Sequence, residues 1–172
     1  MHIAYTIWAL LAAWRWADWN NWREYHTTML YMPLMNLLYL FFCNDYLLWK
    51  IKPEFGLTYT FIEILYTFII FPTTVLLFLS NYPEGQVNKL FHYLKWIFIY
   101  ICLEWIGSSF DRIGYSNGWN IGWSFGFLLF MFPMIRLHYK RPFLAYVISV
   151  VIIILLLSLF NVPLDGRIGE RL

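Results

Sequence analysis

Three carboxylates, Asp45, Glu63 and Glu104, lie within or at the ends of long apolar stretches of this 172-residue chain. A charged side chain at the centre of a bilayer costs roughly 2.5 to 3.5 kcal/mol on insertion scales, so each of the three needs a shallow position or a polar partner. A carboxylate held in this way can act as a general base. Glu63 is predicted to be the deepest and is the strongest candidate for a functional role.

The residues around Glu63 give its predicted helix a polar face. Thr60, Glu63, Thr67 and Thr74 follow spacings of three, four and seven residues, which places them on one side of a helix. We expect a polar stripe of this kind to face protein rather than lipid.

More polar residues are predicted to lie at the depth of these carboxylates. If successive helices alternate in direction, the three carboxylates approach the same side of the membrane, predicted to be the external side. The candidate polar pocket then consists of Asp45, Glu63, Glu104, Asp111, Arg112, Asn117 and Asn120, with Arg112 or Lys50 as the counter-charge. The alternative is that the carboxylates reach water or headgroups, or form ion pairs that fix helix packing.

Small residues also recur at helical spacing. Gly118, Gly122 and Gly126 repeat every four residues, which allows a neighbouring backbone to approach closely. The pattern predicts helix packing within the chain, and its functional alternative is a self-association face.

The histidines and cysteines do not indicate a metal centre. His26, His92 and His138 are predicted near the cytoplasmic ends of spans, where three imidazoles could bind a metal such as zinc. Nothing in the sequence makes them adjacent, so histidines facing headgroups are the preferred interpretation. Cys43 and Cys102 have no CxxC or Cys/His spacing, and we expect neither a metal nor a cofactor.

The elements that position these residues are indicated by composition. Hydrophobic residues make up 61% of the chain and charged residues 13%, and the mean hydropathy is +0.58; soluble domains are about half apolar and about a quarter charged. A membrane-spanning helix needs about 20 apolar residues, and in lipid a helix satisfies its own backbone hydrogen bonds. Five segments meet this requirement: 27–49, 57–80, 89–107, 119–137 and 142–160. We expect Pro33, Pro72 and Pro133 to bend these helices rather than to shape a site.

A sixth helix is predicted at residues 3–14, a stretch of twelve residues without a charge. It suits a short or tilted span, and the alternative is five spans plus an N-terminal interfacial helix. It lacks the basic region and cleavage site of a signal peptide, so we expect it to be retained. The predicted fold class is therefore all-α: a polytopic transmembrane helical bundle of about six helices over residues 1–160, followed by a short polar tail at 161–172.

The basic residues predict how this bundle is oriented. One side collects seven of them, namely Arg15, Arg23, Lys89, Lys95, Arg136, Lys140 and Arg141, and the other side five, namely Lys50, Lys52, Arg112, Arg167 and Arg171. The positive-inside rule places the first side in the cytoplasm. Its densest cluster, Arg136, Lys140 and Arg141, is predicted to anchor a helix end to anionic lipid headgroups.

Five short motifs are spread over nearly the whole chain. They are Arg15, Trp16, Asp18, Trp19 and Trp22; Ile70 to Pro72; Glu104 and Trp105; Asn117 to Asn120; and Arg136 to Pro142. Together they resemble a family of small multi-spanning membrane proteins common in endospore-forming bacteria. The resemblance implies a multi-pass protein of a bacterial plasma membrane and no established activity, so it assigns no catalytic residue.

Charge excludes one class of function, because the basic residues form no polybasic block that would bind nucleic acid. The sequence predicts a small non-enzymatic accessory or transport-type component, built around the polar pocket, in contact with the lipid bilayer and able to associate with itself or with a membrane protein partner. One alternative is an intramembrane enzyme acting on a lipid or lipid-linked substrate, with Glu63 or Glu104 as general base and Arg112 holding a phosphate. Another is a structural partner subunit of a membrane complex.

Overall fold

The long apolar segments form six helices in a computed structural model that describes residues 1–43, 45–54 and 56–163. We label them α1 His2–Trp16, α2 Trp22–Cys43, α3 Tyr59–Ser80, α4 Gln86–Ser109, α5 Ile121–Lys140 and α6 Pro142–Leu159. The predicted all-α bundle is therefore confirmed. Most of the tail predicted at 161–172 lies outside the described residues, and so do Arg167 and Arg171.

Four of these helices, α3 to α6, are long and apolar enough to cross a membrane, within the part of the chain that the structure describes. α1 has 15 residues and α2 has 22, which at 1.5 Å per residue gives lengths of about 22 Å and about 33 Å. That α1 and α2 also cross the membrane remains a prediction.

The six helices alternate in direction, so the bundle has two distinct ends. α1 begins where the ring of His2 contacts the Lys52 carbonyl, with Nε2 and O 3.1 Å apart. It ends where the Asn81 amide donates to the Trp16 carbonyl at 3.0 Å. α1 therefore runs beside α3 in the same direction, as the predicted short or tilted span requires, and does not lie across the bundle as an interfacial helix would.

A two-stranded sheet marks one end of the bundle, which we call the sheet end. β1, Trp49–Ile51, pairs antiparallel with β2, Ile113–Tyr115, so that Lys50 lies opposite Gly114. The sequence predicts only connections here, because strands of three residues are too short to show a period. The sheet ties the α2–α3 connection to the α4–α5 connection.

The other end, which we call the basic end, contains the α1–α2, α3–α4 and α5–α6 connections. Here the Asp18 backbone donates to the Ser80 hydroxyl at 3.0 Å, and the Tyr139 hydroxyl approaches the Glu24 carboxylate at 3.5 Å. The seven basic residues predicted to share a side all belong to this half of the bundle or its connections.

An aromatic core joins α3, α4 and α5. Phe78 and Phe132 are fully buried, their ring centroids lie 5.3 Å apart, and Trp96 packs against both. Lipid tails are as apolar as these side chains, so close van der Waals packing rather than escape from water holds such helices together.

Pro72 changes the local geometry of α3. The helix is α-helical at Tyr59–Leu65, widens to a π-helical turn at Tyr66–Ile70, and is α-helical again at Phe71–Ser80. In a regular helix the proline ring would clash with the carbonyl four residues earlier. The wide turn, in which the Phe71 N–H donates to the Tyr66 carbonyl, removes that clash.

Candidate functional site

A cavity of about 270 Å³ lies between α2, α4, α5 and α6. Most of its wall is apolar, with side chains such as Met35, Leu128, Met131 and Leu156. At the basic end it is bounded by Tyr31 and Ser149, whose hydroxyl oxygens are 2.7 Å apart. Its polar side chains toward the sheet end include Tyr39, Glu104 and Ser124.

Glu104 supplies the only carboxylate in the cavity wall, as far as the described residues go. It lies on α4 five residues before the helix ends at Ser109, which places it about 7.5 Å from that end. The Tyr115 hydroxyl of β2 donates to its Oε1 at 3.0 Å. The pKa of Tyr115 is raised, mainly by burial and to a smaller extent by the negative charge of the neighbouring Glu104 carboxylate. The Tyr115 hydroxyl therefore keeps its proton and remains a donor.

Two further donor groups face the Glu104 carboxylate. Ser124 accepts a hydrogen bond from the Trp119 indole at 2.9 Å, which leaves its own hydroxyl hydrogen free to point toward Glu104. The indole N–H of Trp49 is buried and also faces the carboxylate, but it lies outside hydrogen-bond geometry. The Trp49 strand is held by Tyr39, whose hydroxyl donates to the Trp49 carbonyl at 2.6 Å.

A second cavity, of about 90 Å³, lies on the other side of Glu104, between α1, α3 and α4. Four residues line both cavities and so form the partition between them: Trp49, Phe71, Tyr100 and Glu104. The Tyr100 hydroxyl is held 2.7 Å from the Thr74 hydroxyl of α3.

Glu63 is buried between α2 and α3, apart from the cavity lining, with 7% of its surface exposed. Its polar neighbours are Tyr59 and Asn36, and the Asn36 amide also donates to the Thr67 hydroxyl at 2.8 Å. The predicted inward face of this helix is confirmed for Glu63, Thr67 and Thr74, which are buried, and is wrong for Thr60, which is exposed in the first turn of α3.

Glu54, which the sequence patterns do not single out, is the most enclosed carboxylate among the described residues, with 4% of its surface exposed. It pairs with the amino group of Met1, accepts from the His2 backbone N–H at 2.7 Å, and lies 3.5 Å from the Arg112 Nε. Burial acts to raise its pKa, but these hydrogen bonds and positive charges outweigh burial and hold the pKa below its ordinary value.

The predicted polar pocket therefore divides into separate sites. Arg112, predicted as the counter-charge of Glu63 and Glu104, pairs instead with Glu54 and donates to the Pro53 carbonyl at 3.3 Å. Asp111 forms an exposed ion pair with Lys52, which lowers the pKa of Asp111. Asp45 lies in the exposed turn after α2. Of the seven residues, only Glu63 and Glu104 lie on helices, where Glu63 is buried and Glu104 is half-buried.

The two asparagines of the predicted pocket have structural contacts. Asn120 is the N-cap of α5, where its side-chain oxygen accepts from the Gly122 and Trp123 backbone N–H groups at 2.9 and 3.2 Å. Asn117 donates to the Leu47 carbonyl at 3.1 Å and so fastens the α4–α5 connection to the segment before β1.

The three glycines do not form one helical face. Gly118 lies in the turn before α5 with φ +86°, so it is not part of the helix. A Cβ at Gly122 would meet only the Asn120 side chain within 4 Å, and a Cβ at Gly126 would meet nothing. At Gly118 a Cβ would meet the Phe160 ring at 3.9 Å, so the only close neighbour from another element is found at the glycine outside the helix. Close helix packing at Gly122 and Gly126 within the described residues therefore has no contact to support it, and self-association remains a prediction.

The histidines lie apart from one another in different contacts. His138 is buried, stacks on Tyr31 and shares a hydrogen bond with the Thr28 hydroxyl at 3.0 Å. His92 contacts the Phe78 carbonyl at 3.0 Å, and His26 packs against Trp22. Over residues 1–43, 45–54 and 56–163, no three His, Cys, Asp or Glu side chains come together in a way that could hold a metal ion.

The predicted headgroup anchors differ in their surroundings. The guanidinium of Arg136 lies 4.0 Å from the centroid of the Tyr82 ring and 5.1 Å from that of Tyr139, so it is held by cation–π contacts. Arg136 is half-buried, whereas Lys140 and Arg141 are exposed. Headgroup binding by these residues remains a prediction.

Comparison with protein-family models, with curated proteins and with solved structures finds no match to this chain. Its function is therefore argued from the site alone. Sequence reasoning missed Asn36, Trp49, Tyr115 and Ser124, although a lone amide within an apolar run, as at Asn36, is a signal that could have been used.

Proposed function

We propose that this protein is a small non-enzymatic transport-type or accessory component of a bacterial plasma membrane, and that it holds a hydrophobic small molecule in the cavity between α2, α4, α5 and α6. The observation that supports this proposal is the cavity itself: an apolar space of about 270 Å³ inside a helical bundle, with one carboxylate in its wall. Binding sites for small molecules are concave and mostly apolar, with a few placed polar groups.

The position of the cavity supports access from lipid. Its wall on α6 is formed by Ser149, Ile152, Ile153, Leu156 and Leu157, and α6 is the helix with the least buried surface of the four candidate spans. A hydrophobic molecule dissolved in the bilayer therefore lies next to the helix that closes the cavity.

The enzymatic alternative receives less support from the geometry. It requires Arg112 to hold a phosphate near Glu63 or Glu104, whereas Arg112 pairs with Glu54 at the sheet end. Glu104 is surrounded by hydroxyl and indole donors rather than by a second acid or base. A holding role needs no such second group.

The proposed orientation follows the basic residues. The basic end lies in the cytoplasm by the positive-inside rule, which leaves the sheet end and Glu104 near the external surface. The described basic residues of the sheet end are Lys50, Lys52 and Arg112, and two of these are in ion pairs. The net positive charge available to the lipid surface is therefore greater at the basic end.

The experiment compares two neighbouring leucines on α6. Leu156 lines the cavity, and Leu155 is 62% exposed on the outer surface. The protein is purified in lipid nanodiscs, and native mass spectrometry identifies small molecules that stay bound to wild type, Leu156→Trp and Leu155→Trp. The indole at position 156 should fill the cavity, whereas the same indole at position 155 should lie in lipid.

We expect a hydrophobic molecule to remain bound to wild type and to Leu155→Trp and to be lost from Leu156→Trp. Equal retention by all three proteins would place the bound molecule outside the cavity and would contradict the proposal. A matching thermal unfolding midpoint for the two tryptophan variants shows that any loss comes from occupancy of the cavity and not from unfolding.

A further inference from the structure

The carboxylate of Glu104 faces a set of groups that can all give a hydrogen bond. The Tyr115 hydroxyl donates to it, and the Ser124 hydroxyl, which accepts from the Trp119 indole, can also donate to it. The buried Trp49 indole N–H faces it and has no hydrogen-bond partner. The two hydroxyls can donate or accept and the indole nitrogen can only donate, so an ionised carboxylate, which only accepts, can be matched by all three groups at once.

This charge has no positive partner among the residues that the structure describes. Ion pairs form at Glu54 and at Asp111, and neither residue's partners include Glu104. The titratable side chains around Glu104 and along the cavity are Tyr31, Tyr39, Cys43, Tyr100 and Tyr115, and tyrosine and cysteine are neutral at pH 7 at their ordinary pKa values. Glu104 is half-buried in a mostly apolar wall, and a carboxylate partly withdrawn from water is stabilised by a proton or a cation that offsets its charge.

Aromatic rings surround the same position. Trp49, Tyr100 and Trp119 line the cavity together with Glu104. Tyr100 lies one helical turn before Glu104 on α4, so the two side chains share a face. The faces of such rings attract cations, and rings around a carboxylate form a site for an ammonium group.

We propose that the cavity binds a hydrophobic organic cation with one positive charge, with the Glu104 carboxylate as its counter-ion and the rings of Trp49, Tyr100 and Trp119 around its head. This inference rests on the proposed function, because it names the class of molecule that the cavity holds. The charged head lies near the sheet end, about 7.5 Å inside the end of α4. The apolar tail extends between α2 and α6 toward Tyr31 and Ser149.

The test uses two probes of the same shape. Decyltrimethylammonium carries one positive charge, and 2,2-dimethyldodecane replaces its nitrogen by carbon and is neutral. Binding of each probe to the full chain in nanodiscs is titrated by native mass spectrometry. The proteins are wild type, Glu104→Gln, Leu156→Trp and, as a matched control, Glu84→Gln, which removes an exposed carboxylate at the basic end.

We expect wild type and Glu84→Gln to bind the ammonium probe at least about 30-fold more tightly than Glu104→Gln does, because removing one partner of a buried charge pair has an effect of this size. The neutral probe should bind wild type and Glu104→Gln alike. Wild type itself should prefer the ammonium probe over the neutral one, a comparison that needs no variant to fold.

Equal binding of the two probes by wild type, or unchanged ammonium binding by Glu104→Gln, would overturn the cation inference. If Leu156→Trp still abolishes binding of the probes in that case, the proposed function stands. If Leu156→Trp binds both probes as wild type does, the probes are not in the cavity, and the proposed function fails together with the inference.

Discussion

At the scale of single residues, two buried carboxylates, Glu54 and Glu63, and the half-buried Glu104 are accommodated in three different ways. Glu54 is offset by the positive charges of Met1 and Arg112. Glu63 has an amide and a phenol as neighbours between α2 and α3. Glu104 faces neutral donors at the wall of a cavity. Only the third leaves space beside the carboxylate for another molecule, which is why we assign binding to Glu104 and structural roles to the other two.

The structural role of Glu54 predicts a loss of stability on Glu54→Gln, which keeps the side-chain shape and removes the charge. We expect the free energy of unfolding to fall by roughly 1–3 kcal/mol, because hydrogen bonds to a charged group are stronger than neutral ones and Arg112 loses its partner. Thermal unfolding in mild detergent measures the change. Glu84→Gln, which alters an exposed carboxylate, should leave the midpoint unchanged.

The pH dependence of stability at Glu54 has a defined sign. Its pKa in the folded chain lies below the ordinary value of 4.5, so as the pH falls below about 4.5 the unfolded chain takes up the proton before the folded chain does. The contribution of Glu54 is therefore complete above that pH and is lost below it. Wild type should lose more stability than Glu54→Gln between about pH 5 and about pH 3. Equal losses would show that the charge of Glu54 does not stabilise the fold.

At the scale of helices, Pro72 determines how the two halves of α3 are oriented. The π-helical turn at Tyr66–Ile70 contains one residue more than an α-helical turn would, and this rotates the half that carries Glu63 relative to the half that carries Thr74. The contact between Asn36 and Thr67 lies at this turn. A π-helical turn inside a span therefore sets which residues of α3 face α2.

Replacing Pro72 by alanine should let this turn relax toward an α-helix, because alanine has a backbone N–H and no ring to clash with the preceding turn. We expect the contact between α2 and α3 to weaken as the first half of α3 rotates. The readout is disulfide formation between Asn36→Cys and Thr67→Cys in a chain that also carries Cys43→Ala and Cys102→Ala. Cross-linking should be rapid with Pro72 and at least several-fold slower with Pro72→Ala.

The matched control is Pro133→Ala in α5, which removes a proline from a helix without a π-helical turn. Cross-linking between positions 36 and 67 should be as rapid in that variant as with both prolines present. Slowing of the reaction by Pro133→Ala to the same extent would show a general loosening of the bundle and would contradict a specific role for Pro72.

The helices could be predicted from the sequence far better than the site could. Lipid requires long apolar helices, so the predicted segments agree with α3 and α6 to within about two residues. The predicted segment 119–137 differs from α5 because the helix begins at Ile121 and continues through His138 to Lys140. Depth could also be inferred for Glu63, which the sequence predicts to be the deepest carboxylate of the spans and which is buried. The site depends on the connections between helices, which a sheet of two three-residue strands holds in place. Such short strands leave no pattern in the sequence. The sequence therefore could not show which side of a helix faces the cavity, or that Arg112 pairs with Glu54 and not with Glu104.

At the scale of the whole molecule, the two ends of the bundle should face opposite sides of the membrane. The alternation of the six helices places the α1–α2 and α3–α4 connections at the basic end and the α4–α5 connection at the sheet end. The basic residues then predict that the sheet end is external. This arrangement also requires α2 to cross the membrane, although α2 is not among the four helices that are long and apolar enough to be candidate spans.

Single exposed cysteines test this arrangement in intact cells with a thiol reagent that does not cross membranes. In a chain with Cys43→Ala and Cys102→Ala, we expect Ser109→Cys at the sheet end to be labelled from outside. Asn20→Cys and Glu84→Cys, both exposed at the basic end, should be labelled only after the cells are made permeable. Labelling of Asn20→Cys together with Ser109→Cys, with Glu84→Cys protected, would mean that α2 does not cross. Labelling of Asn20→Cys and Glu84→Cys from outside, with Ser109→Cys protected, would mean that the bundle has the opposite orientation. The head of the bound molecule would then lie near the cytoplasm, because the hydrogen bond from Tyr115 holds Glu104 at the sheet end.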